Sequence, residues 1–415
     1  MVYERGRRQG TPSPLRVFAK AMPDVVLDIT ETLRNPMRTG IQRVVRELIR
    51  NWPRGRRLRL ARFVAGHGLE LVPDRVRPLL LETDDRARSM KVEDVAALIA
   101  AECRGCGEGL PEGAPILVPE LCFTAARWAW YEALHQRDPD AFGMIVFDFI
   151  PWLHADVYSD GEAPPPEIAC YYGLVAKAKR LAFISAATRD EAMTRIGRAP
   201  GPSGPVFPLG ADALGLERQN FDISRNAYVV IGSVCRNKCH DLIFAAFERL
   251  WRKGFAGELV FAGRAADRGL AGLLADAAAF PRFRHLTHPT DGALREALRG
   301  ARATIAVSRV EGYGLGPVES LRAGIPTIVS GATPSVRGLP PRGQIRIDYP
   351  EAEAIEAAVG AMAAGDTARR LWGEARRLRL PTWRAFAASV AAWIAPAPRA
   401  LSWRGLIHRL RPALG

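Results

Sequence analysis

The fold is decided by the segment SRVEGYGLGPVE, residues 308–319. It follows the apolar run 303–307, which predicts a buried strand, and its three alternate glycines predict a tight loop. Pro317 stands where a helix is expected to begin, because its fixed φ and missing N–H suit the first helical position. We therefore predict a strand, a backbone cradle and a helix N-terminus, whose free N–H groups suit an anionic ligand.

Two carboxylates flank this loop. Glu311 stands at the strand exit, and Glu319 is predicted inside the first helical turn. Acids so placed can accept hydrogen bonds from polyhydroxylated ligands such as sugars and ribose. The alternatives are an N-terminal capping acid for Glu319 and a solvated loop acid for Glu311.

A second loop of the same kind follows the apolar run 228–231. It begins at Gly232 and Ser233 and contains Lys238, one of only six lysines among 58 basic residues. In nucleotide-binding folds the first strand-to-helix loop supplies phosphate contacts. Lys238 is therefore a candidate point charge for a diphosphate, and the alternative is a solvated loop lysine.

Alternating strands and helices form two consecutive series. The first has strand-like runs at 25–27, 116–118, 144–147, 181–184 and 206–207, with a polar loop up to Gly40, and helices at 41–48, 123–135 and 186–196. The second has strands at 228–231, 259–261, 303–307 and 326–329 and helices at 241–253, 268–279 and from Pro317. This pattern predicts two α/β, Rossmann-like domains whose parallel sheets face each other across a cleft. We place a basic tail at 1–21, domains at 22–212 and 227–380 around a linker at 213–226, and a helix crossing back with a basic tail at 381–415.

Composition excludes several classes of protein. The 415 residues are 48% hydrophobic and 25% charged, which is typical of a globular chain of two or three domains. No apolar run of membrane-spanning length and no signal peptide is recognisable, and six cysteines are few, so we expect a cytoplasmic protein with reduced thiols. The net charge of +14 favours polyanionic neighbours, but no nucleic-acid-binding module is present.

Other candidate motifs are weaker. Cys103 and Cys106 have the spacing of half a zinc site without a matching pair. No phosphate-binding Walker loop, Ser-His-Asp order or paired DxD-like acidic site is recognisable, so we expect no metal and no cofactor. The termini, with arginines at 5–8 and an apolar-basic alternation at 403–411, suggest a peripheral contact with an anionic membrane, the alternative being solvated tails.

The sequence resembles the retaining family 4 glycosyltransferases, which have the GT-B fold. The resemblance covers roughly residues 25–395 and rests on the E-x7-E signature EGYGLGPVE with the following SLRAGIPTIVS, on VIGSVCRNKCHDL (230–242), PLGAD (208–212) and FDFIPWLHADVY (147–158), and on TW at 382–383. The segment 28–48 contains RTGIQRV and is similar to bacterial enzymes that build surface polysaccharides.

The resemblance implies specific roles. Glu311 would face the donor sugar, Glu319 the ribose, and Lys238 would neutralise the leaving diphosphate, with Asp148 near the reacting centre. The donor contacts implied are Gly40, Thr39, Gly232, Ser233, Arg236, Gly312, Tyr313, Gly314, Leu315, Gly316 and Glu319.

Two positions depart from the family. Ser233 stands where members often carry arginine, for which Arg236 is a candidate substitute, and Phe147 replaces a frequent histidine, with His154 seven residues on. The implied function is transfer of a sugar from a nucleoside diphosphate sugar to a glycan or lipid-linked glycan, at the inner face of the cell membrane. GDP-mannose is favoured by RTGIQRV, and UDP and dTDP sugars stay open. The alternatives are a non-catalytic sugar-nucleotide-binding scaffold and a GT-B sugar-nucleotide epimerase.

Overall fold

The computed structural model describes residues 24–36, 40–83, 90–105, 107–121, 124–158, 166–197 and 204–395. In this part of the chain two six-stranded sheets follow one another. The strands of the first sheet are β1 (Val25–Asp28), β2 (Leu58–Val64), β3 (Gly68–Leu71), β4 (Ile116–Val118), β5 (Phe142–Val146) and β6 (Leu181–Phe183). Their order is β3-β2-β1-β4-β5-β6, and all neighbours are parallel except β2 and β3.

Helices connect the strands of the first domain. They are α1 (Thr30–Arg34), α2 (Gly40–Arg50), α3 (Val76–Leu80), α4 (Val92–Glu102), α5 (Ala125–Arg137), α6 (Ile150–Leu153), α7 (Ala155–Tyr158), α8 (Pro166–Lys177) and α9 (Ala186–Thr194). The central strands are buried on both faces, which explains why they are continuous apolar runs rather than alternating ones.

The second sheet is wholly parallel, in the order β12-β11-β10-β7-β8-β9. Its strands are β7 (Ala227–Ile231), β8 (Glu258–Ala262), β9 (Phe283–Leu286), β10 (Ala301–Ala306), β11 (Thr327–Ser330) and β12 (Gln344–Ile347). Its helices are α10 (His240–Arg252), α11 (Ala271–Ala278), α12 (Asp291–Arg299), α13 (Leu315–Arg322), α14 (Pro334–Arg337), α15 (Ala352–Ala363) and α16 (Gly365–Ala375). The predicted pair of Rossmann-like domains is confirmed, whereas the exact domain boundaries stay predictions.

The last described helix, α17 (Trp383–Ile394), returns to the first domain. It packs against α2, and Arg56 donates a hydrogen bond to the Ala391 carbonyl at 2.8 Å. The segment 208–212 contacts the start of this helix, where the Trp383 N–H donates to the Asp212 carboxylate at 2.8 Å. Helix α17 therefore follows the second domain in the sequence but packs on the first domain.

Within the segment 208–212, Gly210 packs most closely against α17. A Cβ built there would lie 2.2 Å from the backbone nitrogen of Trp383, so something would have to move. We expect Gly210→Ala to lower stability by about 1–3 kcal/mol, the usual cost of overpacking. Thermal unfolding should show a melting temperature lower by several degrees.

Gly360→Ala is the matched control for that substitution. It lies in α15, where a Cβ would meet nothing within 4 Å, and alanine favours a helix over glycine. Its melting temperature should equal or exceed that of the wild type. Equal melting of Gly210→Ala and the wild type would contradict the packing of Trp383 described above.

The structure corrects several local predictions. The segment up to Gly40, predicted as a loop, contains α1, and residues 206–207 make one bridge, Val206 with Phe183, because the flanking Pro205 and Pro208 lack N–H donors. The helix predicted for 268–279 begins as a 3-10 turn and is α-helical only from Ala271. Strands β2, β3, β9 and β12 were not predicted, because polar and charged residues interrupt their apolar pattern.

A buried charge network explains why α1 forms. Glu120, which follows β4, accepts hydrogen bonds at 2.8 Å from the N–H groups of Glu31 and Thr32 in the first turn of α1. Its carboxylate also lies 3.5 Å from the guanidinium of Arg127, which pairs with Asp28 at 2.7 Å. A carboxylate from about 90 residues away therefore caps this helix, a contact that no local pattern can indicate.

The same network predicts a pH dependence of stability. Burial raises the pKa of Glu120 to about 7, although the charge of Arg127 lowers it and that of Asp28 raises it. Because this folded-state pKa lies above the unfolded value of about 4.3, its stabilising contribution is full below pH 4.3 and lost as the pH rises through 7. In denaturant titrations at pH 5 to 8, wild type should therefore lose stability relative to Glu120→Gln. Parallel pH curves for the two proteins would contradict this placement of Glu120.

Candidate active site

The two loops singled out from the sequence leave adjacent strands. Strands β7 and β10 are neighbours at the centre of the second sheet, where the order of connections reverses. Loops that follow such strands diverge at their carboxyl ends and leave a crevice, which is where open α/β sheets bind ligands. The loop after β7 carries Lys238, and the loop after β10 carries Glu311.

Lys238 and Glu311 form an ion pair in this crevice. Lys238 Nζ lies 2.7 Å from Glu311 Oε1, and the Ser308 hydroxyl donates to the same oxygen at 2.7 Å. Burial favours the neutral forms, but the attraction between the two groups outweighs it. The pKa of Glu311 is therefore lowered and that of Lys238 is raised, so both groups are charged at neutral pH. The aliphatic stem of Lys238 passes Gly232, where a Cβ would lie 3.0 Å from its Cε.

Asn237 fastens the two loops together. Its side-chain amide donates to the Val310 carbonyl at 3.0 Å and accepts from the Val310 N–H at 3.1 Å, and its own carbonyl accepts from Arg309 N at 2.8 Å. The sequence interpretation missed Asn237 and Ser308, although both stand beside residues that it singled out. Their effect is to hold the charged pair in place before any ligand arrives.

The N-terminus of α13 forms one wall of the crevice. Gly314 precedes the helix with φ of +88°, and a Cβ there would lie 2.5 Å from Thr333 Cγ2, so only glycine fits. The helix begins at Leu315, two residues before the predicted start at Pro317. A cavity lies at this point, lined among others by Lys238, Ser308, Glu311, Gly314, Leu315 and Gly316. An ammonium group and the positive end of a helix therefore face one small space.

Glu319 is placed differently from the prediction. It lies in the second turn of α13, not the first, and is 2% exposed, so it does not cap the helix. It does not line the cavity of Lys238 and Glu311. Arg43 of α2 reaches it across the domain boundary, with contacts of 2.6 and 2.9 Å. Burial raises the pKa of Glu319 to about 7, and the charge of Arg43 opposes that rise.

Asp148 brings the first domain to the same place. It follows β5, and a Cβ at Gly312 would lie 2.8 Å from its carboxyl. Thr188 of α9 donates to the Phe147 carbonyl at 2.9 Å and to the Gly312 carbonyl at 3.4 Å. Burial raises the pKa of Asp148 to about 6, although a hydrogen bond from Ile150 N lowers it. The carboxyl ends of the two sheets therefore face each other.

Two other predicted contacts lie outside the cavity. The guanidinium of Arg236 lies 3.8 Å from Asp267, and Arg236 is not among the residues that line the cavity. Tyr313 is 7% exposed and donates to the Leu209 carbonyl at 3.0 Å, so it joins the domains rather than facing a ligand. Ser233 is half-buried in the loop after β7.

Gly40 is the first residue of α2, and a Cβ there would meet nothing within 4 Å. Packing therefore does not demand glycine at this position, and the space beside it is open. Thr39, predicted beside it, lies outside the described residues.

The candidate metal and membrane features lie mostly outside the described part of the chain. Cys103 is buried, and Cys106 lies outside the described residues, as do both basic tails. No group of three His, Cys, Asp or Glu side chains in the described ranges is arranged to hold a metal ion. None of the helices described above is long and apolar enough to cross a membrane.

Solved structures share this architecture along most of the chain. Anabaena HepE, solved with UDP and glucose, is 11% identical with a TM-score of 0.61, and the match covers 89% of this chain and 98% of HepE. Sucrose-phosphate synthase of Thermosynechococcus elongatus is 15% identical with a TM-score of 0.60 and coverage of 94% and 100%. The lipopolysaccharide outer core galactosyltransferase WaaB is 12% identical with a TM-score of 0.53 and coverage of 90% and 99%. The protein has the GT-B fold, as predicted.

The family comparison concerns the second domain. Residues 216–379 match the family model described as Glycosyl transferases group 1, and this range contains Lys238, Glu311 and α13. The matched range covers most of the second domain, including both loops of the crevice. No curated protein matches the sequence.

Proposed function

We propose that the protein is a retaining glycosyltransferase that transfers a hexose from a nucleoside diphosphate sugar to a glycan or lipid-linked glycan. The observation that carries this proposal is the pair of Lys238 and Glu311 beside the N-terminus of α13, at the reversal point of the second sheet. The site combines a cation and a helix dipole for a diphosphate with a carboxylate for sugar hydroxyls.

In transfer, the bond between the anomeric carbon and the diphosphate oxygen breaks, and the acceptor hydroxyl oxygen forms a bond to that carbon on the same face. The proton of the acceptor hydroxyl passes to the departing diphosphate. Negative charge develops on the leaving diphosphate. Lys238 and the N–H groups at the start of α13 are placed to stabilise that charge. Before donor binds, Lys238 and Glu311 neutralise each other, so the donor would exchange one internal ion pair for a phosphate contact and a hydroxyl contact.

The first domain contributes to positioning. Asp148 and Thr188 lie against the glycine-rich loop at Gly312, so the acceptor side and the donor side meet within one crevice. A crevice closed in this way excludes water and favours transfer over hydrolysis. We assign Asp148 to the reacting centre and the open space at Gly40 to the donor phosphates as part of the same proposal.

Two relatives bear on the donor and acceptor. HepE was solved with UDP and glucose, and WaaB is described as a galactosyltransferase of the lipopolysaccharide outer core. The RTGIQRV segment favours GDP-mannose, so our proposed donor is GDP-mannose and the proposed role is surface polysaccharide synthesis at the cytoplasmic face of the membrane, without a metal. UDP and dTDP sugars are the competing donors.

Thermal unfolding against GDP, UDP, dTDP and ADP and their sugars tests donor binding. A ligand at about 100 times its dissociation constant should stabilise the protein by roughly 2.7 kcal/mol, which is a shift of a few degrees. The proposal predicts a shift with one nucleotide and a further shift with its sugar, and the further shift should vanish in Glu311→Gln. No shift with any of these compounds would overturn the proposal, and a shift without any turnover would favour the scaffold alternative. A nucleotide sugar that is isomerised rather than cleaved would identify an epimerase.

A further inference from the structure

Two helices, one from each domain, begin at predicted donor contacts. Helix α2 begins at Gly40 in the first domain, and α13 begins at Leu315 in the second. Arg43 lies three residues into α2, and Glu319 lies four residues into α13. Each is about one turn inside its helix, so a contact between these side chains constrains how far apart the two N-termini can be.

The contact between them has the geometry of a fork. The Arg43 guanidinium lies 2.6 Å from Glu319 Oε1 and donates to Oε2 at 2.9 Å. The Glu319 side chain is 1% exposed and that of Arg43 is 23% exposed, so water screens the pair weakly. This is a buried ion pair between residues 276 positions apart in the chain.

The surroundings make Arg43 necessary for an ionised Glu319. Two further acids face this carboxyl, Glu47 on α2 and Asp291 at the start of α12, and both disfavour its charge. Without the guanidinium, Glu319 would be a buried carboxyl with like charges nearby. Because burial already raises its pKa to about 7 beside Arg43, Glu319 would then be protonated, and the charged link between α2 and α13 would be lost. Separation of the domains becomes more favourable once this link is gone.

We infer that Arg43 is a positioning residue that closes the cleft, holding the N-termini of α2 and α13 at the separation at which both contact one donor diphosphate. The inference rests on the proposed function for its effect on donor use. The closure itself is a property of the ligand-free protein. Arg43 acts through Glu319 and not by touching the donor.

Loss of Arg43 should lower donor affinity and leave turnover nearly unchanged. If loss of Arg43 shifts the population toward an open cleft, only the closed fraction of the molecules can bind the donor. The apparent dissociation constant then equals the intrinsic one divided by that closed fraction. Saturating donor then restores the closed form. We expect Arg43→Met to raise the KM for the donor about tenfold and to leave kcat within about threefold. A substitution that merely loosened the fold would lower the melting temperature without raising KM while leaving kcat nearly unchanged.

The experiment is a double-mutant cycle of Arg43→Met and Glu319→Gln, with Arg43→Lys as a milder variant and Lys179→Ala as the control. Lys179 is an exposed cation of the same domain that pairs with Asp140, away from the contact between the domains. Small-angle scattering of the ligand-free proteins reports closure, and release of nucleoside diphosphate from GDP-mannose and UDP-glucose reports KM and kcat.

We expect a larger radius of gyration and a raised KM in Arg43→Met, a smaller rise in Arg43→Lys, and no change in Lys179→Ala. In the Glu319→Gln background, Arg43→Met should change KM by less than about twofold, since the partner is already lost. An unchanged radius of gyration in Arg43→Met, or fully additive effects on KM, would overturn the inference. If neither nucleotide sugar is cleaved by the wild type, the proposed donors fail, and the scattering result alone decides whether Arg43 closes the cleft.

Discussion

Replacing Glu311 by glutamine is expected to lower kcat by about 10²–10³-fold, the loss typical of removing one group that stabilises developing charge. The substitution keeps the shape of the side chain but removes the charge that pairs with Lys238 and accepts from Ser308. In our account the carboxylate both binds and positions the donor sugar, so the variant should show a raised donor KM as well as a lowered kcat. Steady-state release of nucleoside diphosphate measures it.

The control for this variant is Glu353→Gln. Glu353 is an exposed carboxylate that pairs with Arg249 on the outer face of the second domain. It should leave turnover and donor KM unchanged. Wild-type kcat in a Glu311→Gln protein of equal thermal stability would show that Glu311 takes no part in the reaction.

Removal of Lys238 is the second change with a large expected effect. Lys238→Ala deletes a lysine that lines the crevice and should lower kcat/KM by about 10²–10³-fold, because the leaving diphosphate loses a charge-assisted contact. It also leaves Glu311 partly buried without its cation, so the pKa of Glu311 should rise. The variant should therefore lose activity. The step in its pH–rate profile that reports ionisation of Glu311 should move toward neutral pH.

Lys177→Ala separates this effect from a general loss of positive charge. Lys177 pairs with Glu132 on the exposed side of the first domain. The protein has 58 basic residues, so one charge among them changes the overall field little. Equal kinetics of Lys238→Ala and Lys177→Ala would exclude a role for Lys238 in binding or departure of the diphosphate.

Much of the fold was predictable because its central strands are buried on both faces. Strands β1, β4, β5, β7, β8, β10 and β11 contain continuous apolar runs, and such runs separated by helices specify parallel sheets. Helix α1 was not predictable, since the carboxylate that caps it comes from Glu120 in another loop. Strand β2 was missed because Arg59 and Arg62 interrupt its apolar pattern.

Features of the site that are set by a single loop were predictable from the sequence. The glycines of 312–316 and the position of Lys238 before a helix indicate their places in a doubly wound domain. What local patterns cannot indicate is how the two domains meet. The pairing of Arg43 with Glu319 and the approach of Asp148 to Gly312 depend on the orientation of one sheet relative to the other. The early helix start at Leu315 likewise depends on Thr333 and Ser335, which contact Gly314 from α14 and its N-cap.

The central claim is that Lys238 and Glu311 act together on a nucleoside diphosphate sugar. Its most direct test is the release of nucleoside diphosphate from GDP-mannose, UDP-glucose and dTDP-glucose by the wild type, Lys238→Ala and Glu311→Gln. We expect slow release from one of these donors by the wild type, because water can replace a missing acceptor. In both variants the release should be at least about 10²-fold slower. Equal release by all three proteins, or no release from any donor by a folded wild type, would contradict it.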